Sequence, residues 1–258
     1  MKTSPLKLLA ATLLIFFSAC SDDKDAPSSS DFKPQVRIKS ITRGSSLPYS
    51  TFGYDSEGRY ASFSFDSDPV ITFSYSPFAI GGYFNISNPV INKKGHITSL
   101  TVDNSGENGT LEASYDRNGY LTRLEITVDG QTNVRTITWK DGLLMSVKST
   151  GTGYMGLSNA QDYIFEYSRT KPVYNRKKQW STVLAQSVGE NDLCLPLAFC
   201  GFLGYAPKQF PQKVTLIEKD DNGKEIDRMP LDFDFILNSD GTIATEAADG
   251  TILNYSYF

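Results

Sequence analysis

The single histidine and the three cysteines are where chemistry would have to start in this chain. His96 follows the turn glycine Gly95. A hydrolase needs a nucleophile and a base within hydrogen-bond reach of each other. No Gly-x-Ser-x-Gly elbow presents a serine to His96, so His96 is expected as a surface turn residue. One histidine also leaves no multi-histidine zinc site within the chain. Gly151-Thr152-Gly153-Tyr154-Met155-Gly156 has the Gly-x-Gly-x-x-Gly spacing, but a dinucleotide site needs a helix to start there. Asn159-Ala160-Gln161 leads instead into a strand pattern, so a glycine-rich hairpin loop is expected. Glu218 to Gly223 has the acids of a calcium loop. With Gly223 at the sixth position, however, the twelfth is Met229, where a bidentate glutamate is required. A hairpin turn is expected there too. Paired carboxylates support glycoside hydrolysis, yet 29 acidic residues guarantee such pairs by chance and nominate none. The chain is therefore read as non-enzymatic, with no catalytic residue, cofactor or metal site.

Cys194 and Cys200 pose a choice between a bridge and a helix. A loop this small would stabilise by roughly 2 kcal/mol in the chain-entropy model. Six residues of continuous helix advance about 9 Å, and a disulfide needs Cα atoms under about 7 Å apart. Helix and bridge exclude each other unless the helix begins after Pro196. A helix carrying two buried thiols is the favoured alternative.

The elements around these residues are β-hairpins. Tyr54-Asp55-Ser56-Glu57-Gly58 recurs as Tyr115-Asp116-Arg117-Asn118-Gly119. Looser copies run Asn92 to Ile97, Trp139 to Leu144 and Asn238 to Ile243. Each places a polar pair and a glycine between apolar runs. Glycine supplies the left-handed turn position, and the Asp or Asn side chain binds the backbone two residues on. Between turns the residues alternate. Ile71, Phe73 and Tyr75 oppose Thr72 and Ser74; Leu124, Ile126 and Val128 oppose Arg123, Glu125 and Thr127; Leu231, Phe233, Phe235 and Leu237 oppose Asp232 and Asp234. Such strands have one dry and one wet face. The expected fold is mainly β: an antiparallel up-and-down meander of roughly a dozen strands, barrel-like or strongly curved. Period two is lost from about 178 to 205. There Trp180, Val183, Leu184 and Val188 fit a short amphipathic helix, and Asn191 or Asp192 would cap a second helix with Pro196 in its first turn. Its residues Leu193 to Leu203 are apolar nearly all round, so these one or two helices should lie on or inside the sheet.

The start of the chain is an address. Lys2 and Lys7 precede an apolar run from Leu8 to Phe17, which is too short to span a bilayer. Phe17-Ser18-Ala19-Cys20 resembles a bacterial lipoprotein signal, which implies removal of residues 1–19 and lipid on Cys20. Ser21-Asp22-Asp23-Lys24-Asp25 resembles the surface-export signal of Bacteroidetes lipoproteins. Residues 20–33 read as a flexible tether and 34–258 as a single β domain. The mature chain keeps 23 basic against 29 acidic residues, a charge of −6. That balance argues against nucleic acid.

The lipoprotein start, the hairpins, the Gly201-Phe202-Leu203-Gly204 stretch leading to Pro207-Lys208-Gln209-Phe210-Pro211, and the last hairpin together resemble the secreted Bacteroidetes family called domain of unknown function 4595. The hairpins also look like the tyrosine-aspartate repeats of large shell proteins. The family resemblance covers roughly residues 50–258 and implies a porin-like β-barrel with no activity to transfer. The expected protein is a lipoprotein anchored to the outer membrane through Cys20 alone and displayed at the cell surface. Its function is either a module binding a glycan, lipid or peptide, or an accessory subunit of a surface complex without a small ligand. A true pore is the remote alternative: lipid-facing walls are apolar, and these outer faces are rich in Ser, Thr, Asp and Glu. The oligomeric state is left open.

Overall fold

The computed structural model describes residues 33–44, 48–65, 71–76, 78–82, 85–104, 107–151, 161–189, 193–220 and 222–258. The signal segment with Cys20, most of the tether, the glycine-rich loop after Gly151, and Asn191 and Asp192 lie outside these residues.

Alternation and tight turns produce one antiparallel meander. It runs through β1 (Ile38–Arg43), β2 (Pro48–Tyr54), β3 (Tyr60–Phe65), β4 (Ile71–Tyr75), β5 (Phe78–Gly81), β6 (Asn85–Ile91) and β7 (Ile97–Asn104). It continues through β8 (Glu107–Tyr115), β9 (Leu121–Val128), β10 (Gln131–Lys140), β11 (Leu143–Gly151) and β12 (Gln161–Glu166). An insert follows, made of β13 (Val173–Tyr174), α1 (Thr182–Val188), α2 (Cys194–Phe199) and β14 (Gln209–Phe210). The meander resumes with β15 (Lys213–Lys219), β16 (Glu225–Leu237), β17 (Ile243–Ala248) and β18 (Thr251–Tyr257). The sheet has sixteen strands, in the order β5-β4-β3-β2-β1-β18-β17-β16-β15-β12-β11-β10-β9-β8-β7-β6. First and last strands pair, with Ile41 opposite Tyr255. The two edges of the sheet, β5 and β6, lie against each other, so the barrel is nearly closed.

The strand number exceeds the dozen that periodicity suggests. Some strands carry too little pattern to be read, such as the four-residue β5 and β17, where an inward position holds a glutamate rather than an apolar residue.

Inward residues form one core. Phe63, Ile71, Phe73, Leu124, Phe165, Phe233 and Leu253 are all buried, as alternation requires. Outward positions include Lys39, Thr72, Glu112, Thr136, Lys148, Asp232 and Ser256, all exposed. A barrel of sixteen strands ordinarily encloses an aqueous channel. Here the insert fills it. Phe199 packs edge-on against Phe52, with ring centroids 5.5 Å apart, and Phe202 meets Phe73 and Phe78. The carbonyl of Phe202 also accepts from the Ile97 amide at 2.9 Å. Residues 180–189 and 193–206 therefore touch walls on several sides and act as a plug.

The plug helices are shorter than the apolar pattern suggests. α1 starts after Ser181, whose hydroxyl accepts from the Leu184 amide; Trp180 precedes it and donates its indole N–H to the Gly204 carbonyl. α2 begins after Leu193 without a side-chain cap, so neither Asn191 nor Asp192 is its N-cap. It stops at Phe199 rather than near Leu203. Gly201 takes φ +80°, and the amides of Gly201 and Phe202 return to the carbonyls of Ala198 and Leu197. That closure is the Schellman motif. Cys194 and Cys200 are buried thiols at either end of α2.

Candidate functional site

One end of the barrel carries most of the recurring turns. The loops at 55–59, 92–96, 116–120 and 238–242 lie there, because alternate hairpins of a meander point the same way. In each, the first residue's amide bonds the fifth residue's carbonyl, and the fourth residue, a glycine, donates back to the first. Asp55, Asn92 and Asp116 each accept two further amides on Oδ1. Burial pushes the Asp116 carboxyl up, but these amides and Asn118 hold it below its ordinary value. The copy at Trp139–Leu144 differs. It is a two-residue turn with Asp141 at φ +54° and Gly142 at φ +82°, the type I′ geometry. The Glu218–Gly223 stretch is a fifth copy of the five-residue turn, at the opposite end, with Asp220 Oδ1 holding the amides of Asn222 and Lys224.

The aromatic residues at the strand ends have a shared task. Tyr54 donates its hydroxyl to the Ile38 carbonyl, Tyr75 to Tyr60, Tyr115 to Ile97, Tyr167 to Leu144 and Tyr257 to Ile243. Trp139 does the same through its indole N–H to Leu121. In each case the acceptor is the first or second residue of the neighbouring strand, just beyond the last paired residues of the ladder. The side chain supplies the partner that the ladder no longer provides. This is the physical content of the tyrosine-aspartate pattern: aspartate closes the turn and tyrosine satisfies the strand beside it.

The same end is stitched to the plug. The Tyr205 amide bonds the Gly119 carbonyl at 3.2 Å, and the Lys208 amide bonds Gly142 at 2.9 Å. Asn175 joins the two arms of the insert by donating to the carbonyls of Gln179 and Pro207. His96 is not on the surface, contrary to expectation: it is 2% exposed, held between the rings of Tyr115 and Tyr205 at 5.0 Å from each. Burial, and then the nearby Lys94 charge, lower its pKa to about 4. It is a neutral packing residue at ordinary pH.

Beside this junction lies a cavity of about 390 Å³. Trp180, Phe199, Cys200 and Tyr205 line it, residues 33–36 cross it, and Lys93, Lys94, Lys177 and Lys178 stand around it. Aromatic walls with a few polar groups suit a small ligand, and the lysines favour a negatively charged one. No cluster of three potential metal ligands occurs among the described residues.

Two buried charges escape sequence reasoning. Glu246 is 1% exposed. It accepts from the amides of Thr182 and Val183, at 3.0 and 3.1 Å, and from the Tyr255 hydroxyl at 2.6 Å. Desolvation raises its pKa against these hydrogen bonds. Arg135, 2% exposed, donates to the Ser187 carbonyl in the last turn of α1 at 2.9 Å. A carboxylate at the helix N-terminus and a guanidinium at its C-terminus match the helix dipole. Arg135 leaves a readable signal, since it shares a face with Ile137 and Trp139. Glu246 leaves none, because its inward position depends on pairing with Leu253 and Phe235.

A family described as a domain of unknown function (DUF4595) with porin-like fold matches residues 52–241. The chain belongs to this family. The DUF4595 match runs from β2 into the turn between β16 and β17, so it includes the plug. β1 and β18, which join the two halves of the wall, lie outside it. Among solved structures, a porin-like protein from Bacteroides uniformis is similar, with a TM-score of 0.62 and 14% identity. The likeness covers 86% of this chain and 95% of that one; at that identity it speaks for the DUF4595 fold alone. No curated protein matches the sequence.

Proposed function

We propose that this DUF4595 protein is a non-enzymatic lipoprotein of the outer membrane, held by lipid on Cys20 and displayed at the cell surface, whose plugged barrel stands in water and binds a glycan, lipid or peptide in the cavity beside α2. The observation that carries this reading is the reversed polarity of the barrel: its lumen is apolar and filled by its own residues 180–189 and 193–206, while its outer wall is polar. An inserted barrel would instead place Lys39, Glu112 and Lys148 against lipid. A lysine or arginine at the bilayer midplane costs about 2–4 kcal/mol, with less for acids. The covalent anchor then does the membrane holding, and the wall meets solvent.

Mass spectrometry of the mature chain tests the anchor: an acylated Cys20 at the new N-terminus is expected, and an unmodified one overturns it. Biotinylation of intact cells tests display. Planar-bilayer recording tests the plug: silence is expected, and steady conductance restores the pore.

One observation favours an accessory subunit as the second reading. The first half of β16 stands clear of the barrel, with Glu225 to Pro230 exposed on both faces and only β15 paired beside them among the described residues. An open strand edge carrying Ile226 and Met229 suits strand addition by a partner. Cross-linking from position 226 in intact cells distinguishes the two readings: a specific adduct favours the subunit.

A further inference from the structure

The two ends of the barrel carry opposite charge. The turn-bearing end exposes Lys93, Lys94, Arg117, Lys140, Lys178 and Lys208. Of its acids, Asp55 holds Arg59 at 2.7 Å and two amides, Glu57 also meets Arg59, Asp116 and Asp240 close their own turns, and Asp141 is exposed. The opposite end presents Asp129, Glu225, Asp227 and Asp249, all exposed. Arg228 there is paired with Glu225 at 2.8 Å, which leaves Asp129, Asp227 and Asp249 against the exposed Arg43 and Lys224.

The chain enters the barrel at Ile38, at the basic end. Only residues 20–33 separate that end from the lipidated cysteine. A tether of that length spans on the order of 20 Å as a random coil and roughly 45 Å fully extended. The basic end is thus the part of the barrel delivered first to the membrane, within a few Debye lengths of its surface. Juxtamembrane basic groups are drawn to anionic headgroups. We infer that the turn-bearing end docks on anionic lipid headgroups of the membrane that holds the anchor. The acyl chains retain the protein and the basic face orients it, with the acidic β15–β16 hairpin pointing away. The cavity opens on the docked face, so a phosphate- or carboxylate-bearing headgroup is the ligand chemistry nearest to it. This inference rests on the anchoring proposed above.

The test uses the chain without residues 1–20, a deletion that removes no described residue, in co-sedimentation with vesicles. Binding to equimolar phosphatidylcholine–phosphatidylglycerol vesicles should exceed binding to pure phosphatidylcholine by roughly tenfold or more, and should fall in high salt. Reversal of Lys93→Glu, Lys178→Glu and Lys208→Glu together should abolish the preference, with the thermal melt confirming the fold. Glu225→Lys with Asp227→Lys should leave it unchanged. Equal binding to both vesicles, or a preference that survives the lysine reversal, overturns the inference. So does capture by a soluble acidic polysaccharide without any vesicle binding. The anchor fails separately: an unmodified Cys20 removes the tether argument even if the vesicle preference stands, and an acylated Cys20 without that preference removes the docking alone.

Discussion

The same five-residue turn occurs at both ends of the barrel and does different things. At 116–120 it touches the plug: a Cβ on Gly119 would lie 2.8 Å from the Tyr205 ring. At 220–224 it stands alone, with nothing within 4 Å of a Cβ on Gly223. The hydrogen bonds within the two turns match, down to the aspartate oxygen that holds two amides. Turn chemistry thus fixes the hairpin and nothing more. The turn-bearing end is special because the insert returns through it and needs backbone partners there. Among the described residues, the opposite end has bare two-residue turns at Asp129-Gly130 and Asp249-Gly250 and the exposed hairpin.

This contrast can be broken in several places. The largest effect is expected at the clamp on α1. Glu246→Ala strands the Val183 amide, leaves the Thr182 amide and the Tyr255 hydroxyl with only each other and the Thr182 hydroxyl, and opens a cavity, at a cost of about 4 kcal/mol. Glu225→Ala, in the exposed pair with Arg228, should leave the denaturant midpoint unchanged. Similar midpoints for the two variants would mean that the plug is not held as described.

Acid should act next. The folded pKa of His96 lies near 4 against an ordinary value of 6.5, so the unfolded chain takes the proton first. The stability from keeping His96 neutral is complete above about pH 6.5 and is lost as pH falls through about 4, about 3 kcal/mol in all. His96→Phe should remove that part of the acid sensitivity. As the only histidine, His96 gives a single imidazole signal by NMR, and a titration near 6.5 would place it in water.

The matched glycines come third. Both have positive φ, +96° at Gly119 and +77° at Gly223. Alanine at either pays for the left-handed backbone, about 1 kcal/mol. Only Gly119→Ala also drives into Tyr205, for about 3 kcal/mol in total. Equal urea midpoints would sink the stitching. The smallest effect is Tyr115→Phe, about 1 kcal/mol, since it leaves the Ile97 carbonyl without its hydroxyl donor.

Much of the wall was legible because strand chemistry is local. Leu124, Phe233 and Leu253 point inward as their alternation says, and Asp116 and Gly119 form the turn their types dictate. The plug was legible in kind, since Leu193 to Phe202 are too apolar to sit anywhere wet. Its helix ends were not. Gly201 stops α2 four residues early for a reason that shows only once Phe202 has a partner on β7. His96 was misplaced for the same reason: its neighbour in sequence is a turn, and its neighbours in space are Tyr115 and Tyr205, one of them 109 residues away.

What the sequence determined by itself is the set of two-faced hairpins and one apolar insert, because periodicity and turn geometry act over a few residues. The tertiary structure alone decided that first and last strands meet, that the insert enters the lumen, that Glu246 and Arg135 face a helix, and that lysines from separate loops gather at one end. Each of these depends on register and closure around the barrel, where residues far apart in the chain become neighbours.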